Sequence, residues 1–463
     1  MSTISEINIK QLFGHFDYHI PLNTSDNITI IHGPNGCGKT WILKLVNAIF
    51  SLDYSTIGSA PFGAIEVLFS DGGHFTVRRQ VEEHSYFYDP SIRFRPQGPR
   101  RTTLKFNYHS KRTKRPKEFS MPIGSFSRTR LSNQQMLQIR REFPQLRQIG
   151  ASRWRDLSMG AILTTEEVTE RYGRVIPPSA PSSKSTYGWL TDLANRVPVH
   201  FIQSQRLLRV TQLQSRRESS APSEDVNMVE LYSQELAETI SRRLAESARS
   251  SQSKDSSFPT RLLRGEFSQS ISEPELRQAL VSMEQKRQRL YSAGMLDRED
   301  EVPLPDRSMT EMEQRVLSLY LQDVEEKLRF FDDLESKIAI FMNLVNSKFK
   351  PHGKMLGIDK DQGFIFNTEF EEERVLRPVD LSSGEQNELA LFYELLFRST
   401  PKSLFLIDEP EISLNVGWQR RFLDDLLQIV KTGRHSVIIA THSPQIIHNR
   451  WDLAVSLSGG IKE

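Results

Sequence analysis

The chain has 463 residues, 37% hydrophobic and 25% charged, with 60 Lys+Arg against 58 Asp+Glu for a formal net charge of +2. That length predicts roughly three domain-sized units, and the near-zero charge balance excludes a global basic field for nucleic acid. No apolar run approaches the ~18 residues of a membrane span, the N-terminus lacks a signal-like apolar core, and one cysteine rules out an internal disulfide or a Cys-based zinc site; the class expected is soluble and cytoplasmic.

In chain order, residues 7–10 alternate apolar and polar, 16–22 follow, and 28–31 form a short β-branched run entering a Gly-rich turn. A mostly apolar helix is predicted over 40–50, then strands over 64–69 and 74–79, antiparallel across the turn at 70–73. Residues 93–117 hold ten Lys/Arg and no Asp/Glu, interleaved with Phe94, Phe106 and Tyr108, an alternation that suits a half-buried hairpin. Segments 176–187, 215–225 and the Ser-rich 247–259 read as loops or linkers. From Ser308 the pattern is helical. Ser308 and Glu311 suit a capping box, and Leu317, Leu321, Val324, Leu328, Phe331, Ile338, Met342 and Val345 follow a 4-3-4-3 spacing broken only near Leu334 and Glu335. Bounded by Pro351, this predicts one helix of ~40 residues and ~60 Å, with segments 226–244 and 274–291 as partners in a hairpin or coiled coil.

Three motifs carry chemistry. Gly33, Pro34, Asn35, Gly36, Cys37, Gly38, Lys39 and Thr40 match G-x-x-x-x-G-K-[ST] between a predicted strand and helix, the pattern that wraps backbone N–H groups around a phosphate chain. Lys39 is expected to reach the β/γ-phosphates of ATP, Thr40 to ligate Mg²⁺, and Cys37 to fill space. A buried-strand run at 404–408 ends in Asp408 and Glu409, assigned to Mg²⁺ and to general-base activation of water. Just upstream, Leu381-Ser382-Ser383-Gly384-Glu385-Gln386 opens a helix, offering a hydroxyl and free N–H groups to an anion.

These motifs, in this order, resemble the ATP-binding-cassette ATPases. Residues 381–385 stand at the L-S-G-G-Q signature, departing from it at Ser383 and Glu385. The resemblance implies an α/β head, a mixed sheet with a P-loop core plus antiparallel strands, in which Ser382 and Gly384 of a second subunit meet the ATP bound at 33–40. It implies His442, after the 437–441 strand, as the switch histidine, and a glutamine between the lobes, Gln205 first and Gln203 second. Asn415 stands where the family carries an Asp after its acidic strand. Tyr18 is either an adenine-stacking or an inward-facing aromatic, and His435 and His448 are read as structural.

Lys39 and Ser382 lie near opposite ends of the chain, and that separation resembles the RecF-like and chromosome-maintenance branch, whose heads are split by a helical arm. The division expected is 1–215, the first half of the head; 216–350, a helical or coiled-coil insertion; and 351–463, the second half. Asp408-Glu409-Pro410-Glu411-Ile412-Ser413-Leu414 and Ala440-Thr441-His442-Ser443-Pro444-Gln445 look like the overcoming-lysogenization-defect group, whose nuclease members carry a Toprim domain after the ATPase. No room for one follows His442. The resemblance therefore implies a stand-alone ATPase subunit of anti-phage defence, PARIS-type first and Septu-type second. Its implied partners are a second copy of itself in an ATP-sandwiched head dimer, a higher homo-oligomer, and a separately encoded effector such as a Toprim or HNH nuclease. The stretch 93–117, with Arg100, Arg101, Lys111, Arg112 and Arg115, is either a contact for DNA or a DNA-mimicking phage protein or a solvated loop. The alternative is a DNA-repair clamp of the RecF type acting on DNA directly.

Overall fold

The computed structural model describes residues 3–82, 101–110, 116–122, 146–150, 153–156, 162–164, 184–203, 227–265, 272–296, 307–369 and 375–457. Strands β1 (Ile4–Leu12) and β2 (Phe16–Pro21) form a hairpin, and β3 (Ile28–His32) runs through the phosphate-loop motif into α1 (Lys39–Phe50) and α2 (Tyr54–Ser59). Strands β4 (Ala64–Phe69), β5 (His74–Glu82), β6 (Arg101–His109) and β7 (Lys117–Pro122) complete an antiparallel sheet in the order β2-β1-β4-β5-β6-β7. A small sheet of β8 (Leu146–Gly150), β9 (Arg153–Asp156) and β10 (Ile162–Thr164) follows, then α3 (Lys184–Arg196) and β11 (Val199–Ile202).

Four long helices come next: α4 (Met228–Arg264), α5 (Glu273–Ser292), α6 (Glu311–Leu328) and α7 (Asp332–Phe349). Strands β12 (Lys354–Asp359), β13 (Gly363–Thr368) and β14 (Val375–Leu376) pair with one another and lead to α8 (Ser383–Phe397). The chain closes with β15 (Leu404–Asp408), α9 (Val416–Gly433), β16 (Ser436–Thr441), α10 (Pro444–Ile447) and β17 (Ala454–Ser456).

The centre is a five-stranded parallel sheet ordered β11-β15-β16-β3-β17. Its three central strands, β15, β16 and β3, are mostly apolar on both faces, as a parallel sheet covered on both sides requires. Phe405, Ile407, Val437, Ile439, Ile28 and Ile30 join the cluster under the helices, whereas Leu404, Leu406, Ile438, Ala440 and Ile31 join the cluster shared with α1 and the antiparallel sheet. Each of these side chains is almost fully buried, at about 1.5–3 kcal/mol of transfer free energy for a Leu, Ile, Val or Phe.

The Ser-rich 247–259 is not a linker; it lies within α4, Pro259 included. No residue of α4 beyond Ile240 is buried, and charge holds this half against α6: Arg261 donates to Asp323 at 2.8 Å, Lys254 meets Glu326 at 2.6 Å, and Lys327 meets Asp255 at 2.9 Å. Lys184–Tyr187 of the 176–187 segment are helical as well. The capping box at the start of α6 belongs to Thr310 and Glu313, not to Ser308 and Glu311: Thr310 N–H donates to Glu313 Oε2 at 2.8 Å, and Arg307 braces the same carboxylate.

The single helix expected over 308–351 is split by a 3-10 turn at Arg329–Phe331. The buried seam explains the break. Leu328, Phe331 and Leu334 are successive buried residues at steps of three, and a turn of three residues keeps all of them facing inward. Beyond it Phe341, not Met342, is fully buried. The partner helices expected for this segment are α4 and α5, and both pack on α6.

In the basic stretch, Phe106 and Tyr108 of β6 point into the core beside Phe75, Phe119 and Trp189. Phe94, Arg100, Lys111, Arg112 and Arg115 lie outside the described residues, as does segment 215–225; of Arg101 only the backbone is described, opening β6. No described helix is long and apolar enough to cross a membrane.

His435, read as structural, is buried next to Phe405 and exchanges a hydrogen bond with Ser399 at 3.1 Å. Burial, reinforced by the charges of Lys337 and His200, pushes its pKa down to about 4. Between that value and ~6.5 the unfolded chain binds a proton that the native chain does not. His435 therefore destabilises the fold progressively as pH falls from 6.5 to 4. Thermal melts across that window should show Tm decreasing with acidity, and His435→Asn should flatten the slope. An unchanged slope would assign acid lability to other groups.

Candidate functional site

The parallel register brings the motifs together. β3 ends at the phosphate loop, β15 at Asp408, β16 at Thr441 with His442 following, and β11 at Ile202 with Gln203 following. All four lie at the carboxyl edge of one sheet, where open α/β sheets bind ligands. Ile202 pairs with Ile407 and Asp408 with Ala440, so Gln203 comes one step beyond the pair beside Asp408. Gln205 lies outside the described residues.

The loop has the backbone its glycines permit. Gly36 and Gly38 have φ of 86° and 93°, left-handed values that a side chain tolerates poorly, and Gly38 is the N-cap of α1. A side chain at Gly38 would also strike Leu12 at 2.7 Å. Lys39 is 5% exposed, and its ammonium donates to the carbonyls of Gly33 at 2.7 Å and Pro34 at 3.1 Å. Cys37 is buried and its carbonyl accepts the Tyr18 hydroxyl at 2.8 Å. Tyr18 thus faces inward, bracing the loop instead of offering a ring to a base. Phe13, Asn35, Gly36, Gly38, Lys39, Thr40, Trp41 and Glu409 line an open cleft of about 250 Å³.

Across 368 positions of sequence, the Thr40 hydroxyl donates to Asp408 Oδ1 at 3.0 Å. Burial raises the Asp408 pKa, against the Thr40 hydrogen bond that lowers it, with the Glu409 charge raising it further. A buried carboxylate crowded by a second one, with a hydroxyl attached, has the oxygen donors a magnesium ion prefers, and a cation there would relieve the cost of its charge. The residues present fit Mg²⁺ with a phosphate chain. Glu409 follows with a left-handed backbone, φ 45° and ψ 59°, while its N–H donates to Ala440 O at 2.8 Å.

His442 Nδ1 lies 4.0 Å from Glu409 Oε1 and 3.1 Å from Glu411 Oε1. Sequence reasoning gave Glu411 no role. The carboxylate is buried and also accepts the Thr441 hydroxyl at 2.7 Å and the His442 N–H at 3.0 Å. The available signal was the second acid of Asp-Glu-Pro-Glu, two residues past Glu409.

Ser382 and Gly384 sit on the first turn of α8, with Ser382 as its N-cap. Its N–H and hydroxyl both donate to Glu385 Oε2, at 2.9 and 2.8 Å, and Lys354 meets the same carboxylate at 2.8 Å. The departure at the fifth signature position thus makes a capping box pinned to β12. Gln386 donates to Leu381 O at 2.8 Å and accepts from Asn227 at 3.1 Å, tying the turn to the start of α4. Asn415, at the Asp position of the family pattern, caps α9 by accepting Trp418 N–H at 2.9 Å.

Residues 28–448 match the family described as "AAA domain, putative AbiEii toxin, Type IV TA system". The lipoprotein-releasing system ATP-binding protein LolD of Nitrobacter winogradskyi is 38% identical over 90 residues, which are 19% of this chain and 37% of that protein. LolD of Nitrobacter hamburgensis is 37% identical over the same shares. The chain thus spans little more than a third of the length of these curated relatives. Among solved structures, the Smc head domain with an extended coiled coil, bound to the C-terminal domain of ScpA, from Pyrococcus furiosus aligns over 97% of this chain and 92% of its own, at 13% identity and a TM-score of 0.33. The SMC head domain from Thermotoga maritima aligns at 12% identity and a TM-score of 0.30, over 97% of this chain and 92% of its own.

Proposed function

The chain belongs to the AAA-domain family described as putative AbiEii toxin of type IV toxin–antitoxin systems, and from that premise we propose that it binds and hydrolyses MgATP as the sensor or scaffold subunit of an anti-phage defence system. The observation that carries this is the meeting of Lys39, Thr40, Asp408, Glu409 and His442 at one sheet edge. Lys39 exchanges the carbonyls of its own loop for phosphate oxygens. Thr40 and Asp408 hold Mg²⁺, which when bound screens charge on the phosphates. Glu409 takes the proton of the attacking water, and His442 holds the γ-phosphate. Ser382 and Gly384 of a second copy close the site, which makes the active unit a head dimer or a higher homo-oligomer. Gln203 or Gln205 lies near the attacking water.

In this proposal the head halves are 1–215 and 351–463, with the helical insertion 216–350 as the dock for a separately encoded toxic effector, a Toprim or HNH nuclease of the PARIS or Septu kind, held in the cytoplasm until infection. The stretch 93–117 meets the trigger, either DNA or an acidic protein that mimics it. The test is twofold. Lys39→Ala should bind no ATP and lose phage protection in a plaque assay, and protection that survives it would sink the scheme. Tagged wild-type protein purified from its host should carry a stoichiometric nuclease polypeptide. A bare oligomer that instead retains DNA in a salt-sensitive, ATP-dependent manner would transfer the assignment to a repair clamp.

A further inference from the structure

We infer that Glu411 is the positioning residue of His442, fixing the imidazole with Nδ1 protonated and turned to the protein so that Nε2 is the nitrogen left for phosphate. The inference rests on the role proposed for His442 but adds a residue that role does not require. Glu411 Oε1 accepts two hydrogen bonds from the end of β16, from the Thr441 hydroxyl at 2.7 Å and the His442 N–H at 3.0 Å, and His442 Nδ1 lies 3.1 Å from the same oxygen. A carboxylate accepts and does not donate, so a ring nitrogen 3.1 Å from it is favoured with a proton over one that turns a lone pair toward the oxygen. Glu409 Oε1, 4.0 Å from the same Nδ1, favours the same protonation. The ring keeps half its surface exposed, and Nε2 has no hydrogen-bond partner among the described residues.

Glu411 itself cannot move away cheaply. It lies on the 3-10 turn Pro410–Ser413, is 7% exposed, and its Oε2 has no hydrogen-bond partner among the described residues. A buried carboxyl group with one oxygen so spared depends for its hydrogen bonds on the donors at the other. The turn that follows the general base and the strand that carries the histidine are therefore locked through one oxygen. A carboxylate behind an imidazole selects its tautomer and orientation, and removing such an orienting acid costs roughly 10- to 100-fold at metal-bound histidines and up to about 10⁴-fold in serine proteases.

The experiment begins on the nucleotide-free protein labelled with ¹⁵N-histidine, with His442 assigned by the signal lost in His442→Gln. Long-range ¹H–¹⁵N spectra should show a protonated Nδ1, and a His442 ring with a bare Nδ1 overturns the inference without reference to activity. Turnover supplies the second arm. Glu411→Gln should lower kcat at least tenfold with KM for ATP changed less than about threefold, and should cause no further loss in a His442→Ala background. Equal losses in both backgrounds would show that Glu411 does not act through the histidine. Wild-type protein that turns over no ATP refutes the ATPase proposal, and the spectrum decides the pairing on its own.

Discussion

Glu409→Gln is expected to lower ATP turnover by roughly 10²–10⁴-fold, the contribution of a positioned general base, while leaving nucleotide affinity within a few-fold. Glutamine fills the same space on the wall of the cleft, and the backbone N–H bond to Ala440 is indifferent to the side chain. What disappears is the basic oxygen, together with a charge that raises the Asp408 pKa. That loss removes one negative charge near the proposed cation site, so Mg²⁺ affinity should fall modestly with Asp408 and Thr40 in place, and the variant should accumulate as an ATP-bound dimer measurable by mass photometry. Single-turnover hydrolysis within threefold of wild type would identify another base. Glu409→Gly is the informative companion. The left-handed backbone at φ 45° is unfavourable for a residue with a Cβ by about 1–2 kcal/mol, whereas glycine adds about 0.4–1 kcal/mol of unfolded-chain entropy. The relief matches or exceeds the entropy cost, so this variant should be as inactive as Glu409→Gln yet melt at or above the wild-type temperature. Strain of this kind at Glu409 fits the role proposed for it, since such backbone outliers concentrate at functional sites.

The motifs were legible because each is local: eight residues of loop, a strand ending in two acids, a strand ending in Thr-His. Their convergence was legible only by resemblance, since nothing in the chain near Thr40 announces Asp408; the register of β3, β16 and β15 does. Glu411 was missed for the same reason, its two donors coming from about thirty residues away. Composition misled at 247–259, where serines signal a linker, because the ion pairs to Asp323, Glu326 and Lys327 that keep this stretch helical lie on another helix. The 3-10 turn at Arg329–Phe331 was missed too: the step of three near Leu334 that replaces a step of four was its trace, but the run was read as one helix.

Removing the ammonium of Lys348 should be the most destabilising single substitution in the helical layer. Lys348 on α7 is 3% exposed and ion-paired with Glu388 of α8 and, at 2.8 Å, with Asp425 of α9, while its Nζ lies 5.3 Å from the Phe392 ring and 5.7 Å from Trp418. Lys348→Met keeps the length and leaves two carboxylates stranded in the core, a loss of about 3–5 kcal/mol. Burial already lifts Glu388 to about 7, against the pull of Lys348 and with the help of Asp425. With its folded pKa above its unfolded value of ~4.5, Glu388 makes the native state bind more protons, so stability falls as pH rises from 4.5 to 7. Without the lysine that opposition is gone, and the deficit of Lys348→Met should be greatest above pH 7 and shrink on acidification. Adding Glu388→Met should recover a large share of it, because a buried ion pair replaced by apolar groups is often neutral. Urea titrations at pH 5 and 8 would separate the two causes: a deficit equal at both values would point to lost packing around Phe392 and Trp418, not to stranded charge. The cluster joins α7, α8 and α9, and α8 begins at Ser382. Loosening it should therefore also weaken the ATP-dependent dimer more than it weakens binding of ATP to one head.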